Sequence, residues 1–370
     1  MEVLDIVFYS FICIILCQFF YYGIVFSRFA FSKVNPSKPK NIPVSVIVCA
    51  KNEAENLKSF IPLILNQDYP EFELVLINDA SFDNSLEVME SFKEKNNNIK
   101  IVNVENIEVF WGNKKYALTL GIKAASHDFL LFTDADCKPV SKNWIKDMSS
   151  YFTNTKTIVL GFGAYKKVKN SFLNMLIRFE TVLTAIQYFG FAKVGMPYMA
   201  VGRNLAYRKD EFFNARGFMN HMHIRSGDDD LFVNQVASRK NTALCYSKSS
   251  FTESIPKKTY KSWFRQKRRH VTTAKHYKPL HKFLLGLFFV TQFLFWTLAI
   301  ILLLFQFEWK IVIGLICFRF LIQYLVYGFS AKKLNAIDTL VLLPILELFL
   351  IVSQLVIFIS NLTSKKEHWR

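Results

Sequence analysis

Apolar positions along this chain follow two different patterns. Four long runs, Ile6–Val25, Phe283–Phe305, Ile311–Phe329 and Ile337–Ile359, each come close to the roughly 20 residues a helix needs to cross a bilayer. Between the first and second runs, the apolar stretches shorten to strand length. Val44–Ala50, Phe72–Ile77, Ile99–Val104 and Phe129–Phe132 are rich in β-branched and aromatic residues, which predicts buried strands. Most of them end abruptly in polar residues: Lys51-Asn52-Glu53 after the first, Asn78-Asp79-Ala80-Ser81 after the second, Thr133-Asp134-Ala135-Asp136 after the fourth. Helical stretches lie between them, one running toward Phe60 and one opening at Trp111-Gly112-Asn113-Lys114. Alternating strands and helices predict a doubly wound α/β sheet whose ligands bind along its carboxyl edge. One cleft there gathers Glu53, Asp79, Lys114, Asp134 and Asp136.

This pattern divides the 370 residues into an N-terminal anchor over 1–27, a proline- and lysine-rich linker over 28–43, and a domain over 44–270. A basic juxtamembrane segment follows over 271–282, then C-terminal transmembrane helices over 283–361 and a tail over 362–370. Glu2 and Asp5 precede the first run and Tyr21-Tyr22 close it, without a basic start or a small-residue cleavage site, so it reads as a retained anchor. Arg28, Lys33, Lys38 and Lys40 after the anchor, and the basic stretch from Lys261 to Lys282, place the intervening domain in the cytosol of a multi-pass inner-membrane protein. Much of the net charge of +17 sits beside these runs, and it therefore reads as attraction to anionic lipid headgroups, with no nucleic-acid partner expected. The six cysteines show no CxxC pair and no zinc spacing, which suits free thiols in a reducing compartment.

The candidate chemistry is acidic. Asp134 and Asp136, one residue apart on an extended segment, can lean toward one hard cation that shares its remaining positions with phosphate oxygens. Asp228-Asp229-Asp230 stand before the apolar Leu231-Phe232-Val233. Their repulsion calls for solvent, a helix N-terminus, or a chemical task that uses one raised pKa. The Asn78–Ser85 run on its own reads more often as a turn and helix cap than as a site. Ser171–Val194 suits either a helix on a membrane surface or a buried core helix.

The ordered motifs from Val44–Glu53 through Asn78-Asp79-Ala80-Ser81, Gly112–Leu118 and Asp134-Ala135-Asp136 resemble the nucleotide-sugar-binding half of family 2 inverting glycosyltransferases with the GT-A fold. The resemblance extends to about Arg269, with apolar spans placed as in the membrane-integrated branch. It implies a Rossmann-like domain with one N-terminal and about three C-terminal transmembrane helices. It also implies that Glu53 and Asp79 contact the nucleobase and ribose, that Lys114 lies near the base or phosphates, and that Asp134 and Asp136 meet Mg²⁺ or Mn²⁺ and the diphosphate. Gly202 and Asn204 fall in the segment that shapes the acceptor pocket. An acidic pair, usually Glu-Asp, supplies the base that deprotonates the acceptor hydroxyl. Asp replaces Glu here and a third Asp leaves the register open, so Asp229 and Asp230 lead and Asp228 is retained. Gln266-Lys267-Arg268-Arg269-His270 resembles a Gln-x-x-Arg-Trp motif in which the arginine fork meets the leaving diphosphate and the aromatic residue borders the acceptor. Lys267, Arg268, Lys275 and Lys278 also read as a headgroup-binding strip.

The expected function is transfer of a sugar from a nucleotide-sugar donor, UDP-linked by resemblance with GDP retained, to a membrane lipid or lipid-linked acceptor. His270 in the tryptophan position favours a single addition over a processive polysaccharide synthase. A membrane scaffold that only binds nucleotide is the alternative from another class, and the acid triplet argues against it.

Two charges interrupt the apolar runs. Arg319 and Glu347 fall near the middle of the third and fourth, where an isolated charge is costly. A hairpin turning around Ala331–Asn335 would bring them to equal depth, about 18 Å of helix from the turn, and predicts an ion pair. Pro344 is a potential bend, and a re-entrant last segment would return the basic tail to the cytosolic side.

Overall fold

A computed structural model describes residues 2–34, 38–105, 114–224 and 226–363. The chain starts in α1 (Val3–Phe19), which runs through a π-helical stretch, Phe20–Phe26, into α2 (Ser27–Ala30). There follow β1 (Val44–Ala50), α3 (Ala54–Leu65), β2 (Phe72–Asp79), α4 (Ser85–Lys93), β3 (Ile99–Val104), α5 (Lys114–Ala124), β4 (Phe129–Asp134) and β5 (Cys137–Pro139). Next come α6 (Trp144–Ser150), β6 (Ile158–Leu160), β7 (Gly163–Tyr165), α7 (Phe172–Lys193), β8 (Leu205–Arg208), α8 (Lys209–Asn214) and α9 (Asp230–Val236). The last elements are β9 (Thr242–Leu244), β10 (Thr252–Ser254), α10 (Tyr260–Ala274), α11 (Pro279–Leu304), α12 (Trp309–Lys333) and α13 (Leu343–Thr363). The helix opening at Trp111-Gly112-Asn113 lies outside the described residues, and α5 is described from Lys114.

The chain forms two units, one of Val34–Lys169 with Gly195–Lys257, the other of Met1–Lys33, Asn170–Val194 and Lys258–Arg370. The stretch 44–270 therefore contributes α7 and α10 to the apolar unit, so the chain leaves the α/β domain at residue 170 and re-enters it at 195.

In the α/β unit a seven-stranded sheet has the order β3-β2-β1-β4-β8-β6-β9. β1 runs parallel to β2 and β4, with Val44 opposite both Phe72 and Phe129. These central strands are buried on both faces, which is why they read as unbroken Val, Ile and Leu runs. Beyond β4 the sheet becomes mixed, because β8 is antiparallel to both β4 and β6. α3 lays Leu57, Ile61 and Ile64 on a core shared with Leu74, Leu76 and Met89. Gly121 lets α5 settle onto β2, since a Cβ there would lie 2.1 Å from Ile77 Cδ1. A second sheet of order β5-β10-β7 carries the chain just past Asp136.

The apolar unit holds four helices long and apolar enough to cross a membrane, Val3–Ala30, Pro279–Leu304, Trp309–Lys333 and Leu343–Asn361. Phe11 and Ile15 of α1, Phe295, Ala299 and Leu302 of α11, and Val312 of α12 share one buried cluster. Within that bundle the predicted ion pair is present: Arg319 Nη1 donates to Glu347 Oε2 at 2.8 Å, and Nη2 donates to Oε1. Gln323 and Gln292 donate to Glu347 Oε1 at 2.8 and 2.9 Å, Arg319 also reaches Gln18 Oε1 at 3.4 Å, and Gln18 donates to Thr291 at 2.8 Å. Of Arg319's donors only Nε lacks a partner among the described residues. Such saturation is what makes a buried ion pair tolerable.

The geometric reason expected for this pair was wrong. No simple α12–α13 hairpin forms. After α12 the chain passes through a 3₁₀ turn, Ile337–Leu340, and α13 begins only at Leu343, so Glu347 sits in its first turns while Arg319 sits mid-helix. α13 lies along α10 and α7 instead, with Phe349 against Phe172 and Tyr260. Pro344 falls in the first turn of α13, where its missing N–H removes no helical hydrogen bond.

α7 is mostly buried, which settles it as a core helix of the apolar unit. Its Arg178 makes a two-pronged bond to Asp338 at 2.6 and 2.7 Å. Its Glu180 accepts from Lys267 at 2.7 Å and from Trp263 Nε1 at 3.3 Å, while Arg268 Nε donates to Asn361 at 3.1 Å. Lys267 and Arg268 are thus tied to neighbouring helices.

Candidate active site

The tips of β1 and β2 are laced together. Asn52 and Ala80, the turn residues, both have left-handed backbones, with φ of +57° and +49°. Asparagine tolerates this conformation, whereas alanine pays roughly 1 kcal/mol or more for it. The turns are held by Asn52 N–H donating to Ser81 Oγ at 3.0 Å, Phe82 N–H to Asn52 Oδ1 at 2.8 Å, and Glu53 N–H to Ser85 Oγ at 2.9 Å. Asp83 accepts from Ala54 N–H at 3.2 Å and Ser85 N–H at 3.0 Å, so it serves the starts of both α3 and α4. The Asp79–Ser85 run is therefore cap and turn through Asp83 and Ser85, while Asp79 stays at the strand tip. Burial raises the pKa of the Asp79 carboxyl against the pull of Lys51 and Lys114. Burial also raises Glu53, although Asn56 donates to it at 2.5 Å.

At the tip of β4, Lys114 Nζ bridges two carboxylates, Asp134 at 2.7 Å and Asp228 at 3.0 Å. Burial alone would lower the pKa of this ammonium, but the two acids hold it well above its usual range. Burial pushes Asp228 up, yet Lys114 outweighs it and the net direction is down. At Asp136, burial followed by the charge of Asp134 outweighs Arg203 and Lys257 and raises the pKa. Donor atoms of Asp134, Asp136 and Cys137 lie within 4.8 Å of one another. The carboxylate pair suits a hard divalent cation, whose charge would remove the repulsion that raises Asp136. The Cys137 thiol does not suit it: burial holds its pKa well up, and it shares a 2.8 Å hydrogen bond with Ser254 Oγ.

The acid triplet divides its work. Asp228 belongs to Lys114. Asp229 precedes α9; its Oδ1 accepts from Asp230 N–H at 2.7 Å and its Oδ2 from Gly202 N–H at 2.6 Å. Gly202 eases this approach, since a Cβ would meet Asp229 Oδ2 at 3.2 Å, tighter than ordinary contact. Burial, then the charges of Asp228 and Asp230, raise Asp229 from 3.8 to about 7. Asp230 turns back on its own helix and accepts from Leu231 N–H at 2.7 Å. Asp134, Lys114, Asp228, Asp229 and Gly202 line one small hollow together with Cys49 and Tyr207.

Asn204, expected in the segment that shapes the acceptor pocket, is engaged inside the fold. It is fully buried, it donates to Phe162 O and Ser250 O at 2.8 Å each, and it accepts from Trp144 Nε1 at 3.0 Å, so its polar atoms are spent on holding the segment together. Gln266, Arg269 and His270 stand on α10 in the other unit, with Arg269 and His270 exposed. Three cations of the α/β unit had escaped the sequence reading. Arg203 lies 4.2 Å over the Tyr165 ring and acts on Asp136, as does Lys257, which also acts on Glu53. Lys115 is buried beside Lys114. Arg203 sat inside the glycine-and-asparagine segment, where its proximity to the acids left no local signal.

With this geometry in view, residues 45–226 match the model of Glycosyl transferase family 2. The chain carries a family 2 glycosyltransferase domain. A poly-beta-1,6-N-acetyl-D-glucosamine synthase from Staphylococcus epidermidis is 39% identical over 93 residues, 25% of this chain and 21% of that protein. A cholesterol galactosyltransferase from Borreliella burgdorferi is 34% identical over 93 residues, 25% of each chain. The match thus spans a quarter or less of the length of these curated relatives. A mannosyltransferase from Pyrobaculum calidifontis, solved in complex with GDP-Man and Mn²⁺, superposes with a TM-score of 0.63 at 17% identity, covering 98% of this chain and 100% of that one. At that identity the likeness speaks for the fold: a Rossmann-like GT-A domain with four long apolar helices, one N-terminal and three C-terminal.

Proposed function

We propose that the protein is an inverting glycosyltransferase that moves a sugar from a nucleotide-sugar donor to the hydroxyl of a membrane-associated lipid or lipid-linked glycan. The observation that carries this reading is Asp229, a carboxylate with its pKa lifted to about 7, held against Gly202 in the same hollow as Lys114 and Asp134. A base poised near neutrality can take the proton of an attacking hydroxyl. As that oxygen bonds to the anomeric carbon, the bond to the diphosphate oxygen breaks on the opposite face, and one displacement inverts the centre. Asp229 keeps the proton and the nucleoside diphosphate leaves with the electron pair.

Asp134 and Asp136 would hold Mg²⁺ or Mn²⁺, which when bound supplies positive charge for the donor diphosphate. Lys114 holds Asp134 and Asp228 in place and adds its own charge at the same end of the cleft. Glu53 and Asp79, at the tips of β1 and β2, are the groups proposed for the base and ribose. For Arg269 and Gln266 on the diphosphate and His270 at the acceptor, the resemblance alone supports the assignment. The apolar helices and the basic residues around them support a membrane location with the domain in the cytosol and Lys275 and Lys278 toward anionic headgroups.

Transfer from a panel of labelled UDP- and GDP-sugars into a lipid extract of the source cell tests this. One labelled glycolipid from one donor is expected. A second reading, a polysaccharide synthase, is favoured by the name of the staphylococcal relative, and a ladder of long products would select it. Retained nucleotide binding without transfer from any donor would leave a scaffold.

A further inference from the structure

α5 opens with two adjacent lysines that face different groups. Lys114 reaches the carboxylates of Asp134 and Asp228. Lys115 turns inward: its side chain is 0% exposed, and its ammonium donates to the backbone carbonyls of His221 at 2.8 Å and Ile224 at 3.0 Å. A buried ammonium is costly, and a methionine would fill similar space without that cost, so the cation must earn its place through what it holds. The two carbonyls belong to the segment that leads through Gly227, a glycine with φ of +93°, into Asp228, Asp229 and Asp230. That segment contains the short 3₁₀ turn Met219–His221 and otherwise no regular structure between α8 and α9 among the described residues.

We propose that Lys115 is a positioning residue of the transferase, pinning the backbone at 221–224 so that the acid triplet stays in register with Lys114 and Gly202. The proposal rests on the reading of Asp229 as the base. The charges facing Lys115 are those of Asp228, Asp230 and Asp229, in that order of strength. Those facing Asp229 are Asp228, Asp230 and Lys114. His221 adds no charge of its own. Burial, then Lys115, pulls its imidazole down to about 4, and both ring nitrogens are without a partner among the described residues. Lys115 thus supplies both a mechanical hold on the segment and a positive potential toward the triplet.

The test uses the full chain in detergent or nanodiscs, with Lys115→Met to remove the charge at similar volume and Lys115→Arg to keep it. Backbone hydrogen exchange is read over 219–231 and over the central strands, together with kcat, donor KM and the pH profile. In the Met variant, amide protection over 219–231 should fall while that of β1, β2 and β4 is kept. Its kcat should drop by about tenfold with donor KM within about twofold, and the acid limb of the kcat profile should move to higher pH, because a lost cation makes the Asp229 carboxylate harder to form. The Arg variant should recover most of the protection and the rate. If the Met variant does not fold, Lys115→Gln, which keeps a donor without the charge, is read the same way, and an Arg variant as inactive as the Gln variant would count against the hold. Unchanged exchange at 219–231, or an even loss across the sheet with normal kcat per folded molecule, overturns the proposal. Wild-type protein inactive with every donor would sink the glycosyltransferase reading instead, and the exchange result would still decide whether Lys115 pins the segment.

Discussion

In the bundle cluster of the apolar unit one cation meets one anion. Arg319 faces Glu347, and Gln18, Gln292 and Gln323, each on a helix of the bundle, take up the remaining bonds. In the α/β unit, Lys114 bridges Asp134 and Asp228, and Asp136, Asp229 and Asp230 add three more carboxylates, on which Lys115, Arg203 and Lys257 act from nearby. The first cluster is fully buried and neutral with all but one of its polar atoms bonded, whereas the second is half-buried and holds more acids than the cations in contact with them. A saturated cluster fixes the arrangement of its helices. An unbalanced one stores unfavourable charge that a metal ion, a substrate or a proton can relieve, and this separates a structural from a chemical use of buried charge.

If that distinction is sound, substitutions in the two clusters should fail differently. Asp229→Asn should lower turnover by about 10²- to 10⁴-fold with donor affinity nearly unchanged, read by steady-state kinetics and nucleotide binding. Asp136→Ala, or chelation of divalent ions, should abolish transfer while leaving the fold intact. Near-normal turnover in all three of Asp228→Asn, Asp229→Asn and Asp230→Asn, or full activity in excess chelator, would break the chemical half of the comparison. In the apolar unit, Arg319→Ala or Glu347→Ala should each cost about 3–5 kcal/mol and depress the yield of folded protein, with the charge-swapped double variant recovering part. Purely additive losses in that cycle would show that the pair is not coupled.

A smaller effect should appear in the pH dependence of stability. The folded Asp229 pKa lies above its ordinary 3.8, at about 7, so the native state holds a proton that the unfolded chain releases. Stability from this group is complete below about 4 and falls as pH rises through about 7. The Asn variant lacks that slope and should melt a few degrees higher than wild type above neutrality, with the difference vanishing in acid. Turnover should rise through the same window as the base ionises. Smallest of all, Ala80→Gly should relieve a left-handed alanine and raise stability by about 0.5–1 kcal/mol, a gain with no counterpart in the apolar cluster.

Much of this was legible in the sequence, because each central strand of the sheet is a continuous apolar run ending in a polar tip. The positions of Glu53, Asp79, Asp134 and Asp136 follow from that alone. β6, β8 and β9 were not legible: with only three or four residues each, they show no alternation, and their order in the sheet depends on pairing across long stretches of chain. Arg319 and Glu347 announced themselves through the cost of charge in an apolar run. Their hairpin geometry did not hold, because Asp338 bonds to Arg178 and the intervening residues form a turn where a longer helix was expected. Asn204 had the residue type of a ligand contact but was claimed by three internal hydrogen bonds, which only the folded neighbourhood of Trp144, Phe162 and Ser250 reveals. Lys115 was hidden because a second lysine beside Lys114 looks in sequence like more surface charge.

β8 lies between β4 and β6 in the sheet, yet the ribosome makes it only after α7. A nascent chain that has emerged as far as Lys193 owns β1 through β4, but its β6 has neither β8 on one side nor β9 on the other. For that interval the free edge of β4 offers unpaired backbone to any neighbouring strand. The chain is by then held through the first of its long apolar helices, so nascent copies on one polysome are confined together while their edges are open. Leu205–Arg208, four residues long, closes the gap on both sides at once. Chains halted between residues 135 and 204 should therefore be the aggregating species, and the demand on chaperones should end abruptly once translation passes β8.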